Sequence, residues 1–290
     1  MSFTKLSDRS GHRAPRGRFR TVVAALAATV ALSVSVSACG GGGGGGGGGT
    51  SSDGKIAAPA QDVGTRLSGT VPADIQHLPL TDQNGKKTDL AAFKGKILVV
   101  NDLMTLCQET CPLDTADMVR TAQQVTKDHH ASDVEFLSIT VDPERDDPAQ
   151  LKAYRKLFAQ APPDWTLLTG SPDTIAKLWK YFGVWTKKVP QDNPPPKNWR
   201  TGKTLTYDVE HSDELFFLDR SGHERFLIEG TAHVADGTLP STLRHYLSDK
   251  GVKNLEHPNG DAWTVPQALQ TLSWLLQHRL AAPSGSSAAG

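Results

Sequence analysis

Gly95-Lys96-Ile97-Leu98-Val99-Val100-Asn101-Asp102-Leu103-Met104-Thr105-Leu106-Cys107-Gln108-Glu109-Thr110-Cys111-Pro112 is the stretch that decides the fold. Ile97–Val100 is a short apolar run, β-rich and bounded by the turn residues Lys94-Gly95-Lys96. That pattern reads as a buried strand. Pro112 then opens a segment with helical spacing, Leu113, Met118, Val119, Ala122 and Val125, reaching about His129. Between strand and helix stand two cysteines, four residues apart.

The alternation continues outward. Val134–Val141 predicts a second buried strand, and Pro148–Ala161 a helix with Leu151, Tyr154, Leu157 and Phe158 on one face. Trp165–Leu168 predicts a short strand. Ser171–Gly183 predicts a helix, with Ser171 as its cap and Asp173 in its first turn. Glu214–Asp219 and Glu224–Ile228 flank Arg220-Ser221-Gly222-His223 and read as an antiparallel hairpin. Leu239–Leu247 begins a late helix, and Gln76–Leu90 holds a further hairpin around Asn84-Gly85. This order implies an α/β fold, a central mixed sheet flanked by helices with an N-terminal hairpin. Lys187–Thr204 holds four prolines and no periodicity, so it reads as a long loop. Residues 264–279 read as an extra amphipathic C-terminal helix, and 281–290 as a low-complexity tail. The sequence shows no internal repeat.

The 290 residues allow one or two domains, and 31 basic residues balance 31 acidic ones. The balance is uneven. Residues 1–38 hold six basic side chains (Lys5, Arg9, Arg13, Arg16, Arg18, Arg20) against Asp8, so they carry +5 and the remainder −5. A mildly acidic body excludes a nucleic-acid protein of the usual basic kind. Three cysteines exclude a disulfide-dense scaffold and a four-cysteine zinc site within one chain. Thr21–Val36 is apolar but short for a spanning helix, which needs about 20 residues, and suits a signal peptide. It ends in Val36-Ser37-Ala38-Cys39, which resembles the lipobox of bacterial lipoproteins, where the cysteine is acylated and becomes the mature N-terminus. An uncleaved signal anchor with an incidental cysteine is the alternative. The expected organisation is a signal peptide over 1–38, lipidation at Cys39, and a Gly-rich tether over 39–66. A folded domain over 67–250 and a C-terminal helical extension with its tail over 251–290 complete it. The lipid would hold the protein at the extracytoplasmic face of the bacterial cytoplasmic membrane.

Cys107 and Cys111 are spaced i, i+4. If residues 107–111 form the first helical turn, the two share one face, with Cβ atoms about 5–6 Å apart. That separation permits a disulfide or two thiolates on one metal. Helix N–H groups and the helix dipole favour negative sulfur there. Pro112 fits the first turn without losing an internal bond. A structural disulfide, formed once and then inert, is the alternative. Far along the chain, Val209-Glu210-His211-Ser212 precedes the strand ELFFLD. Thiolates select Cu(I), zinc or iron–sulfur, and imidazole suits copper and zinc. Two Cys and one His suffice for trigonal Cu(I) but leave zinc one ligand short of a closed structural site. Most histidines in such a chain are surface residues, and His129, His130 and His223 read that way.

Residues from about Leu67 to Leu247 resemble the Sco/SenC family of copper-binding thioredoxin-fold proteins. The matching residues are Gly95-Lys96, Thr105-x-Cys107-x-x-x-Cys111-Pro112, Val141-Asp142-Pro143-Glu144-Arg145-Asp146, and Val209-x-His211-Ser212 with Phe217-Leu218-Asp219 and Gly222. The resemblance implies a thioredoxin-like fold and one copper ion, as Cu(I) or Cu(II), on Cys107, Cys111 and His211. It implies work on the copper A centre of cytochrome c oxidase subunit II or another cuproenzyme, by copper delivery, thiol reduction, or both, with a copper donor protein upstream. There are departures. Asn101-Asp102-Leu103-Met104 stands where the family usually has an aromatic run. Gln108-Glu109 replaces Pro-Asp after the first cysteine. These bear on affinity and potential rather than on the ligand set.

Two rival chemistries use the same cysteines. A thiol–disulfide reductase normally places a cis-proline before the strand facing the dithiol, whereas Val209-Glu210-His211-Ser212-Asp213 contains none. A peroxiredoxin-like peroxidase would carry Pro-x-x-x-Thr-x-x-Cys, whereas this chain has Thr105-x-Cys107 and leaves Cys111-Pro112 unexplained. Asp142, Glu144, Arg145 and Asp146 could pair with one another, cap the following helix, or dock a partner.

Overall fold

The computed structural model describes residues 54–235, 238–258 and 262–282. Cys39, the signal peptide, the glycine run and residues 283–290 of the tail lie outside the described residues.

In chain order the described elements are β1 (Thr65–Arg66), α1 (Ala73–Gln76), β2 (Leu80–Asp82), β3 (Lys87–Thr88), a 3-10 turn at Leu90–Phe93, β4 (Ile97–Leu103), α2 (Cys111–Lys127) and β5 (Val134–Thr140). There follow α3 (Pro148–Arg155), β6 (Trp165–Gly170), α4 (Pro172–Phe182), β7 (Thr186–Pro190), β8 (Tyr207–His211), β9 (Glu214–Leu218) and β10 (Glu224–Glu229). Three helices close the series: α5 (Ser241–Tyr246), α6 (Asp249–Glu256) and α7 (Val265–Leu276).

One eight-stranded sheet runs in the order β1-β10-β9-β4-β5-β6-β2-β3. Strands β4, β5 and β6 are parallel, which requires the crossover helices α2 and α3 between them. The β9–β10 hairpin and β2 add antiparallel edges. The result is the expected α/β architecture, a mixed sheet flanked by helices in a thioredoxin-like arrangement. β4 is buried at every position because it is central, with β5 on one side and β9 on the other. Two helix boundaries follow from the sequence: Asp147 caps α3, and α4 is capped by Ser171 and ended by Gly183 at φ 83°.

Pairing direction places the site. β9 runs antiparallel to β4, with Asn101 opposite Leu215. The entry to β9 therefore lies beside the exit of β4, and His211 arrives next to the loop that follows β4.

Four expectations need correction. Residues 187–204 are not loop throughout, because Thr186–Pro190 pairs with β8 over five residues. Its Lys187-Lys188 sequence carries no apolar alternation, so only the partner strand reveals it. The tether expected over 39–66 is too long. Thr65–Arg66 pairs with β10, Pro59 is buried, and Ile56 exchanges two 3.1 Å hydrogen bonds with Gln277. The segment after 250 is not a separate extension: Ala268, Leu269 and Leu272 of α7 enter the core, and the Trp263 indole donates to Asp114 at 3.2 Å. Finally, α3 stops at Arg155 rather than Ala161, and Leu157 and Phe158 pack from a turn.

Candidate metal centre

The helix begins at Cys111, so Cys107 sits in the turn before it and not on the helix itself. The Cys107 N–H closes that turn on the Met104 carbonyl at 3.1 Å. Both thiols are free and buried, at 6% and 1% exposure. Cys107 Sγ accepts from the Glu109 N–H at 3.4 Å. His211 ends β8, and its Nε2 stands 3.2 Å from Cys111 Sγ. One donor atom from each of Cys107, Cys111 and His211 lies within 4.8 Å of the others.

The opposite edge of the imidazole is fixed. Asp102 Oδ2 lies 2.7 Å from His211 Nδ1, Asp213 Oδ1 lies at 3.6 Å, and the Ser212 carbonyl at 3.0 Å. Nδ1–H is therefore the donor toward acceptors on three sides, and Nε2 faces the sulfurs. A carboxylate behind a histidine sets its tautomer and ring orientation in metal sites.

The electrostatics are strongly coupled. The Cys111 thiol donates to Cys107, and this bond, working against burial and assisted by His211, holds Cys107 well below the usual thiol range. Burial and the neighbouring Cys107 charge push Cys111 well above it. For His211 burial opposes the charge, yet hydrogen bonds to Asp102 and Cys107 hold the imidazole well above its ordinary value. In the metal-free site the negative charge is therefore favoured on Cys107 over Cys111, and the positive charge on His211 is favoured by its carboxylate and sulfur neighbours. Around them burial raises Asp213 to about 7, with His211 pulling the other way, and raises Asp114 further, with the Asp213 charge adding to it.

The acidic motif after β5 is internal structure. Asp146 is fully buried and accepts from the Thr105 N–H at 3.1 Å, from the Thr105 hydroxyl and from the Thr140 hydroxyl at 2.7 Å. Asp142 pairs with Arg145 and accepts from the Tyr207 hydroxyl at 2.9 Å. Arg145 donates to the Tyr207 carbonyl at 2.6 Å and stacks on the ring at 3.9 Å. The motif thus ties the strand leaving β4 to β8, which carries His211. Of the readings open for these residues, mutual pairing holds for Asp142 with Arg145, while Asp146 is held by Thr105 and Thr140. Glu144 is exposed and meets Lys188 at 2.9 Å. The loop that follows β7 also anchors the site, through the Trp199 indole donating to the Thr105 carbonyl at 2.8 Å.

Asp102, Asp213 and Trp199 carry no spacing signal that sequence reading could use. Asp102 was visible merely as a carboxylate at the end of an apolar strand. His223 pairs with Asp219 in an exposed turn, and His130 with Asp133. Among the described residues the groups able to hold a metal are Cys107–Cys111–His211 and Asp102–His211–Asp213, which share one histidine. Two soft sulfurs and a pre-oriented imidazole fit a copper ion.

The family model described as SCO1/SenC matches residues 72–247. A SCO2-like protein of Rickettsia conorii is 30% identical over 148 residues, half of this chain and 70% of its own. The human mitochondrial SCO2 homologue is 27% identical over 173 residues, 60% of each chain. Among solved structures, a SCO1/SenC family lipoprotein of Bacillus anthracis is 26% identical, covers 62% of this chain and 93% of its own, and gives a TM-score of 0.43. ScoI of Bradyrhizobium japonicum with copper bound is 27% identical, covers 63% and 99%, and gives 0.39. With more than half of its length matched by the family model, the chain belongs to the SCO1/SenC family.

Proposed function

We propose that this chain is a copper metallochaperone, holding one copper ion on Cys107, Cys111 and His211 and passing it to the copper A centre of cytochrome c oxidase or to another cuproenzyme. The observation that carries the reading is the convergence of two sulfurs and one oriented Nε2 within 4.8 Å, inside a protein of this family. Sco proteins are named for work in cytochrome c oxidase assembly, and relatives have been solved with copper bound. Loading requires Cys111 to lose its proton and His211 to lose the proton on Nε2, while Asp102 keeps Nδ1–H in place. An acceptor richer in thiolate and imidazole takes the ion by replacing these ligands one at a time. Oxidation to a 107–111 disulfide removes both sulfurs and blocks loading.

The same reading places the domain on a membrane through an acylated Cys39, on the extracytoplasmic face. Among the described residues no helix is long and apolar enough to cross a membrane.

The lowered Cys107 thiol supports a second reading, reduction of a partner's disulfide. The Cys107 thiolate would attack one partner sulfur and release the other as a thiolate. Cys111 would then resolve the mixed disulfide, leaving the 107–111 disulfide here and two thiols on the partner. An anaerobic Cu(I) titration of the reduced protein against a competing chelator separates the two. One tightly held ion, weakened in Cys107→Ser, Cys111→Ser and His211→Ala alike, supports the chaperone. No tight copper, with reduction of a partner disulfide intact, overturns it.

A further inference from the structure

Gly251 occupies the third position of α6, where alanine would be much the better helix former. The reason lies across the interface. A Cβ on Gly251 would stand 2.1 Å from the carbonyl oxygen of Gln108 and 3.1 Å from its carbonyl carbon. The two backbones touch, and glycine is the residue that permits it.

Further bonds surround that contact. The same Gln108 carbonyl accepts from the Ser248 N–H at 2.9 Å and from the Ser248 hydroxyl at 3.3 Å. The Gln108 side chain donates to the Tyr246 carbonyl at 2.7 Å. Lys250 meets Glu109 at 2.5 Å. Gln108 and Glu109 are the two residues that follow Cys107, so the cysteine loop is bound on this side by residues 246–251. Ser248, Lys250 and Gly251 lie beyond residue 247, where the family match ends.

We propose that Tyr246–Gly251 is a latch on the cysteine loop: docked, it keeps Cys107 buried, and its release opens Cys107 to an incoming ligand. Ser248 and Gly251 are positioning residues that act through Gln108. The consequence for copper exchange rests on the copper reading above, whereas the shielding of Cys107 does not.

The test uses the full chain and two variants. Gly251→Ala strengthens α6 as a helix while driving it off the Gln108 carbonyl, so any opening cannot be blamed on a weakened helix. Ser248→Ala/Lys250→Ala removes bonds without adding bulk. Two rates are read: iodoacetamide labelling of each cysteine in the reduced, metal-free protein, resolved by peptide mass, and transfer of Cu(I) to excess chelator. The latch requires Cys107 to label about tenfold faster in both variants, the factor expected in the double variant from losing one hydroxyl bond and one exposed ion pair, each of modest net strength. Cys111, fixed by α2, should change little. Copper transfer should accelerate by a similar factor. Unchanged Cys107 labelling in the folded variants overturns the latch, as does equal acceleration at both cysteines with a lowered melting temperature. If Gly251→Ala does not fold, the double variant decides alone. If wild type binds no copper, the copper reading fails and labelling still decides the latch.

Discussion

The carboxylate of Asp102 stands 2.7 Å from Nδ1 of His211, and the two side chains are 2% and 4% exposed. Asp102 lies on β4 and His211 ends β8, just before β9, whose antiparallel pairing with β4 brings the two residues together. The carboxylate fixes which ring nitrogen is free. Asp102→Asn keeps the size and removes the charge behind the ring, and should weaken Cu(I) binding about 10- to 100-fold. Chelator competition measures this, and an unchanged affinity would show that Ser212 and Asp213 orient the ring without Asp102.

Copper loading should release protons. Cys111 and His211 both titrate well above their ordinary values in the metal-free protein, while Cys107 titrates well below. Protons should leave as the ion binds, and affinity should rise with pH, because Cys111 and His211 must give theirs up to ligate it. A weakly buffered titration with a pH indicator counts them. A count near zero, or flat affinity between pH 5 and 8, contradicts the assignment.

Stability should fall as pH rises from about 4 to 7. Asp117 is fully buried on α2, and among the described residues neither carboxylate oxygen has a hydrogen-bond partner. Burial raises it from 3.8 to about 7, against the pull of Arg120. The folded chain therefore binds the extra proton between about pH 4 and 7. The associated stability is present below pH 4 and is lost by pH 7, up to about 4 kcal/mol from this group. Asp117→Asn should flatten the profile and be the more stable protein at pH 8. Urea unfolding of both proteins at pH 5 and pH 8 gives the comparison, and parallel profiles would mean that the carboxylate ionises freely in place.

Membrane attachment should depend on one atom. Cys39→Ser removes the sulfur proposed to carry the lipid and should shift the protein from the membrane fraction to the soluble one, without altering Cu(I) stoichiometry. Retention in the membrane would point to the uncleaved anchor instead.

Local signals were legible and distant ones were not. The βα units announced themselves through apolar runs such as Ile97–Val100 and through caps such as Ser171. The Cys107/Cys111 pair was visible because its members are neighbours in sequence. β7 was missed because Lys187-Lys188 has no alternation of its own, its hydrogen bonds being supplied by β8. Asp102 escaped notice because a carboxylate inside a buried strand reads as an anomaly until its partner, 109 positions away on another strand, is placed beside it. The latch was invisible for the same reason. Gly251 looks like a poor helix residue, and only the Gln108 backbone explains it.

Cys111 and His211 are separated by 100 positions in the chain. An unfolded chain offers a metal two sulfurs with no imidazole held beside them. The third donor arrives only after β9 has docked antiparallel on β4. Tight capture is thereby conditional on completed folding, and bound cargo in turn adds to the free energy that holds the sheet closed. A chain that misfolds anywhere between these two strands is refused its cargo, so the site inspects the integrity of its own scaffold.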